Sequence, residues 1–128
     1  MDKEGYNFIS GQLLDSCIQV HREMGPGLLE VVYERCLIDE LSRRNIKAEN
    51  QVPIPLVYKN KELDKVFRID LLVEDEVVVE IKAVDNMIPL FKAQLLSYLK
   101  LTDKRLGILI NFNVPVIKNG FYRYVNGF

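Results

Sequence analysis

Apolar and polar positions along this chain follow two periods, and the points where one gives way to the other predict its elements. From Asn7 to about Met24 the period is helical: Leu14, Cys17, His21 and Met24 recur at i, i+3, i+7 and i+10 on one face. Asn7 or Ser10 is expected to cap this helix, and Gly25-Pro26-Gly27 to stop it. A second helix is predicted from about Leu28 to Arg44, with Glu30, Tyr33, Leu37 and Leu41 on one side and Asn45 as its C-terminal cap. The period then shortens to two. Gln51 to Tyr58 reads as a strand whose beginning Pro53 and Pro55 confine to an edge or an entry segment. Asn60 supplies a turn before a strand from Glu62 to Val73, and Val77 to Ala83 is a third strand rich in β-branched residues.

Asp85-Asn86 marks a loop, and Pro89 sits near the first position of a helix running to about Leu101. Arg105 to Asn111 is largely apolar, as expected of a strand central in a sheet. Val114 to Val125 carries one or two short strands around Asn119-Gly120. The order α-α-β-β-β-α-β-β predicts an α/β fold, a mixed sheet flanked by helices, in a single domain over residues 1–128.

Asp70, Glu80 and Lys82 interrupt this pattern, because they sit inside otherwise apolar strand runs. Charged groups are rarely buried unless paired. In strands, residues two apart share a face, so Glu80 and Lys82 face with Val78, and Arg68 and Asp70 with Leu72. A three-residue turn at Glu74-Asp75-Glu76 would set Asp70 opposite Glu80 and Arg68 opposite Lys82, with opposed Cβ atoms about 4.5–5.5 Å apart. A two-residue turn would shift the pairing by one. Two carboxylates that close repel, and a divalent cation such as Mg²⁺ or Mn²⁺ relieves the repulsion through oxygen ligation. Lys82 beside it would orient a nucleophile or stabilise charge on a phosphate. The competing reading is an ion-pair cluster on a solvated sheet face.

Composition narrows the class. Of 128 residues, 48% are hydrophobic and 27% charged, as in an ordinary globular protein. The start, Met1-Asp2-Lys3-Glu4, has no signal-peptide pattern, no apolar run reaches membrane length, and two cysteines lack metal spacing. A cytoplasmic protein with reduced thiols is expected. Net charge is −1 and the pI is near 5.9, not the footprint of a strong nucleic-acid binder. Any basic surface must therefore be local. A homodimer is a common assembly, but no pattern here specifies one.

Gly27-Leu28-Leu29-Glu30-Val31-Val32-Tyr33 is a G-x-x-E-x-x-Y pattern. With His21 to Gly27, Gln51-Val52-Pro53 and Ile110-Asn111-Phe112, the chain resembles the GxxExxY family, which is similar to the PD-(D/E)xK nucleases. That resemblance implies a restriction-endonuclease-like α-β-β-β-α-β core and a metal-dependent nuclease, with DNA as the favoured substrate. It implies Asp70 and Glu80 as metal ligands, Lys82 as the catalytic lysine and Glu30 as the supporting helix acid. Gln94-Leu95-Leu96-Ser97-Tyr98 looks like the Q-x-x-x-Y signature of the RecB-like branch, near substrate. Ile69 stands where the superfamily's proline would be.

Each residue also has a plainer role. Glu30 could serve only the positive end of its helix. Gln94 and Tyr98 share a helix face and could be its polar margin. His21 reads first as a core histidine; RecB-like relatives that use a helix histidine as a metal ligand keep it in the candidate set. Arg68 suits a phosphate, or equally a carboxylate partner. Phe121 to Val125 could stack bases but reads more simply as an aromatic edge strand. The alternative function is a catalytically inactive, nuclease-fold interaction module, which the acidic pI favours.

Overall fold

The computed structural model describes residues 1–127. Helices α1 (Lys3–Met24) and α2 (Glu30–Arg43) precede a hairpin of β1 (Ala48–Tyr58) and β2 (Lys61–Val73). Strand β3 (Val77–Lys82), helix α3 (Pro89–Thr102), β4 (Leu106–Asn111), a 3₁₀ turn (Ile117–Gly120) and β5 (Phe121–Val125) complete the chain. The sheet order is β1-β2-β3-β4-β5. Among the described residues only β3 and β4 pair in parallel, and α3 makes the crossover that a parallel pair requires. This is the mixed sheet with flanking helices that the apolar pattern predicts.

Helix α1 begins earlier than expected. Asp2, not Asn7 or Ser10, is its cap, and its Oδ1 accepts from Gly5 N at 2.8 Å. Its buried face is Tyr6, Ile9, Leu13, Cys17 and Val20. The expected face of Leu14, His21 and Met24 is therefore rotated outward, with Met24 exposed. Gly25, at φ 69°, ends α1 as predicted. Helix α2 buries the expected Tyr33, Leu37 and Leu41, and Glu34 with them. Asn45 lies just beyond it in the left-handed region, at φ 58°. Pro89 lies in the first turn of α3 as predicted.

Helices α1 and α2 cover one sheet face, packing Leu13, Tyr33 and Leu37 on Leu71, Val79, Ile81 and Ile108. Helix α3 covers the other, packing Leu95, Tyr98 and Leu99 on Ile54, Ile69, Val78 and Leu109. Strands β3 and β4 are thus buried on both faces, which explains their unbroken apolar runs. Strand β1 is an edge, as its prolines require, and Phe121 to Val125 forms the other edge.

Strand β2 carries one irregularity. Leu71 packs toward α1 and α2, but Ile69 and Leu72 both pack toward α3, so the two-residue alternation breaks at Asp70. The β1–β2 ladder runs through Asn50↔Leu71 and Val52↔Ile69 and skips Gln51 and Asp70. Gln51 has φ 51°, a left-handed conformation unusual for a non-glycine residue. The expectation that Arg68, Asp70 and Leu72 share a face is therefore corrected: the local twist at Gln51 and Asp70 reverses the facing below Leu71.

Candidate active site

The β2–β3 register is Val73↔Val77, Leu72↔Val78 and Leu71↔Val79, the pairing of a three-residue turn at Glu74-Asp75-Glu76. Glu74 and Asp75 both have positive φ. One step further the ladder stops and side chains take over. Asp70 N donates to Glu80 Oε2 at 2.8 Å, and Ile81 N donates to Asp70 Oδ2 at 2.8 Å. Each carboxylate thus satisfies a backbone donor on the opposite strand. Arg68 does not reach Lys82: it pairs with Pro53 on β1, and its Nη1 donates to Gln51 O at 3.4 Å.

The two carboxyl groups also lie within hydrogen-bonding reach of each other. Glu80 is only 5% exposed. Burial, then the negative charge of Asp70, pushes its pKa from 4.5 up to about 8, while Lys82 pulls it back. Lys82 is half-buried, with Nζ 4.6 Å from the centre of the Phe91 ring on α3.

Both helical layers contribute. From α2, Glu30 Oε2 accepts from Ala83 N at 3.1 Å and so holds the chain just past Lys82. From α3, the Tyr98 phenol is raised by burial and then by the charges of Glu80 and Asp70, which places it within electrostatic reach of both; Gln94 bonds the phenol and lowers it. The G-x-x-E-x-x-Y tyrosine has a separate job. Tyr33 donates to Gly25 O at 2.6 Å, accepts from Leu28 N at 3.1 Å and stacks on Phe112 at 4.4 Å. It sets the entry into α2, and hence where Glu30 begins.

His21 is not brought to this cluster. Its Nε2 lies 2.8 Å from Val114 O, against the segment after β4, and the groove it lines includes none of Asp70, Glu80 or Glu30. The expected core histidine is corrected as well: His21 is half-buried in the last turn of α1, on the side turned away from the buried face, and its ring is satisfied by Val114 O.

Four residues to which the sequence assigned no role, Glu34, Asn50, Gln51 and Asn111, complete the arrangement. Buried Glu34 accepts from Asn50 Nδ2 at 3.2 Å and Gln51 Nε2 at 3.0 Å, and the same Gln51 amide lies 3.5 Å from Asp70 Oδ1. Glu34 is one helical turn beyond Glu30, the one available clue to it. Buried Asn111, the β4 partner of Lys82, bonds Val84 N, Val84 O and Asn113 N through its side chain. A cleft of about 340 Å³ opens beside Asp70, lined by Glu30, Glu34, Arg35, Asn50 and Gln51. The larger groove, between α1 and α2, contains none of these charged strand residues.

Among the described residues, no three His, Cys, Asp or Glu side chains converge as a ready-made metal cage. The donor set nevertheless suits a hard divalent cation. Such ions take one or two carboxylates and complete their shell with water and phosphate oxygens, and here the buried Glu80 carboxyl lies against that of half-buried Asp70, beside the cleft.

The family model described as the PD-(D/E)XK nuclease superfamily matches residues 7–124. Neither the curated proteins nor the solved structures yield a match.

Proposed function

This chain belongs to the PD-(D/E)XK nuclease superfamily, whose members generally use divalent metals, and from that premise we propose that it hydrolyses phosphodiester bonds of nucleic acid, DNA first among them. The observation that carries the reading is the Asp70–Glu80 contact: two acids forced together at the point where β2 and β3 part, with Lys82 one strand step beyond Ile81. Mg²⁺ or Mn²⁺ would be held by Asp70 and Glu80. When bound, the ion supplies positive charge at the phosphoryl group and acidifies water.

The chain's own groups do the rest. Ile81 N and the Gln51 amide orient Asp70, and Asp70 N orients Glu80. Glu80 gives up its proton to serve as a ligand, because ligation needs the carboxylate. The Lys82 ammonium, seated over Phe91, stabilises charge developing on the phosphate or orients the attacking water. Glu30 keeps Ala83 in place and thereby the end of β3. Gln94 and Tyr98 border the site from α3 and contribute hydrogen bonds to substrate, and Arg68 offers a fork for phosphate at the base of the hairpin. Both cysteines are free thiols, which suits work in a reducing cytoplasm. Among the described residues, no helix is long and apolar enough to cross a membrane.

Cleavage of plasmid and single-stranded DNA with Mg²⁺ or Mn²⁺ tests this. Lys82→Ala is expected to lose about 10²-fold or more in rate, and activity equal to wild type would remove this lysine from the mechanism. The net charge of −1 favours a second reading, an interaction module that keeps the fold without turnover. Calorimetric titration with Mn²⁺ separates the two: a folded protein that takes up no metal at millimolar concentration is the module.

A further inference from the structure

Beyond Arg68 the β1–β2 hairpin leaves the body of the fold. All ten residues from Val57 to Val66 are exposed, and neither helical layer covers them. A register shift between Ile54 and Val57 marks where the ribbon departs from the sheet. The tip is tight, with Lys59 at φ 51° and Asn60 at φ 62°. A two-stranded ribbon without a covering layer is marginal in water by itself. This one also leaves Val57, Tyr58, Leu63 and Val66 about half exposed or more.

Its charge differs from that of the rest of the chain. Residues 57–68 carry Lys59, Lys61, Lys65 and Arg68 against Glu62 and Asp64, a balance of +2, so the remaining residues of this chain of net −1 total −3. Among the described residues, Lys59, Lys61 and Lys65 form no ion pair. Lys59 sits 5.5 Å from the centre of the Tyr58 ring, and Tyr58 is paired with Lys61 across the turn. The basic residues continue on the same strand to Arg68 and then Asp70.

We propose that this hairpin is the duplex-binding arm of the site, lying in the major groove of B-form DNA and holding the phosphates on either side through Lys59, Lys61 and Lys65. The inference rests on the nuclease reading above and adds the form of the substrate. The major groove, about 12 Å wide, admits a two-stranded β-ribbon, whereas the major groove of A-form RNA is too deep and narrow to be read by side chains. At about 3.3 Å per residue the strand from Asp70 to Lys61 reaches roughly 25–30 Å. That is on the order of eight base pairs from the cleavage centre, at about 3.4 Å per step. The apolar side chains of the ribbon would meet thymine methyl groups, and the lysines the backbone.

Fluorescence anisotropy with a labelled 20-base-pair DNA duplex tests the arm, using the full chain carrying Asp70→Asn so that the probe stays intact. Adding Lys59→Glu, Lys61→Glu and Lys65→Glu, all at exposed positions, is expected to weaken binding at least about tenfold. It should also flatten the salt dependence by about two to three units of slope, near 0.9 for each phosphate no longer neutralised. The same reversal at exposed Lys3, Lys100 and Lys118 controls for net charge and should cost much less. An RNA duplex of the same sequence should bind more weakly than DNA. The arm is overturned if the protein binds duplex DNA and the hairpin reversal costs no more than the control, a result that leaves the nuclease reading standing. It is overturned equally if light scattering shows a dimer that substitutions at Val57 and Val66 dissolve. Failure of the parent protein to bind DNA or RNA in any form would instead remove the nuclease reading, and the arm with it.

Discussion

Asp70 and Glu80 hold each other's strands. The amide of Asp70 bonds the Glu80 carboxylate and the amide of Ile81 bonds the Asp70 carboxylate, both at 2.8 Å, where the backbone ladder between β2 and β3 has ended. Two acids here replace hydrogen bonds that the ladder would have made, and their mutual repulsion is built into the fold.

That repulsion sets a pH dependence. Glu80 keeps its proton to about pH 8 in the folded chain, against 4.5 for an ordinary carboxylate. Between these values the folded state holds more protons than the unfolded one, so this group's contribution to stability declines as pH rises through that window. Urea unfolding of the metal-free protein should show the decline, and Glu80→Gln should flatten it. Millimolar Mn²⁺ should stabilise the protein more at pH 8.5 than at pH 5.5, because ligation requires the ionised carboxylate.

Gln51 is expected to act through Asp70. Its amide reaches from buried Glu34 to Asp70 Oδ1, on a backbone held at φ 51°. Gln51→Gly accepts that φ and removes the amide, so it isolates the side chain's role. Mn²⁺ affinity, read by titration calorimetry, should fall about tenfold, the usual scale for a group that orients a ligand. Glu34→Gln retains an acceptor and should lose less than Glu34→Ala. Unchanged affinity in all three variants would leave this network a purely structural one.

His21→Ala separates the two readings of the chain's one histidine. With Nε2 on Val114 O, its loss should cost roughly 1 kcal/mol of stability. Mn²⁺ affinity should stay within about twofold of wild type, far less than loss of a ligand or its support would cause. A tenfold fall would bring His21 back to the metal.

Tyr33→Phe keeps the stacking on Phe112 but breaks two hydrogen bonds to the Gly25–Leu28 turn. A cost of about 1–3 kcal/mol is expected in denaturant unfolding, because Leu28 N and Gly25 O lose the hydroxyl of a buried tyrosine. Wild-type stability would show that water replaces the phenol.

Periodicity was enough for most of the architecture. Helix spacing gave α2 to within two residues, Pro89 gave the start of α3, the prolines left β1 as an edge or an entry segment, and the largely apolar run marked β4 as central in the sheet. These are local properties, written within a few residues of where they act. The turn after β2 was left open between two and three residues; the structure has the three-residue turn, with which Asp70 comes to Glu80. Helix α1 was legible as a helix, but its cap and the phase of its buried face were not: Asp2 lay outside the apolar window, and a face on one helix is settled by what α2 and the sheet present to it.

Alternation along β2, by contrast, misled. It set Arg68 beside Lys82, and the twist at Gln51 and Asp70 sends Arg68 to β1 instead. No local signal announces that reversal, because its cause is a pair of residues on different strands. Asp70, Glu80 and Lys82 stood out in the sequence because charge inside apolar strand runs is conspicuous, and Glu30 chiefly through the G-x-x-E-x-x-Y resemblance. Glu34 did not, and Gln51 and Asn111 entered only within segments of the resemblance with no role attached, since a polar residue at a strand or helix margin looks ordinary until its partners are known. The elements, their order and the acids at the centre are thus written in the chain itself. Packing settles which side chains support those acids, that His21 lies elsewhere, and that the β1–β2 ribbon stands clear of the core. The reason is that periodicity and propensity act within one element, whereas facing, burial and hydrogen-bond partnership arise only when elements come together.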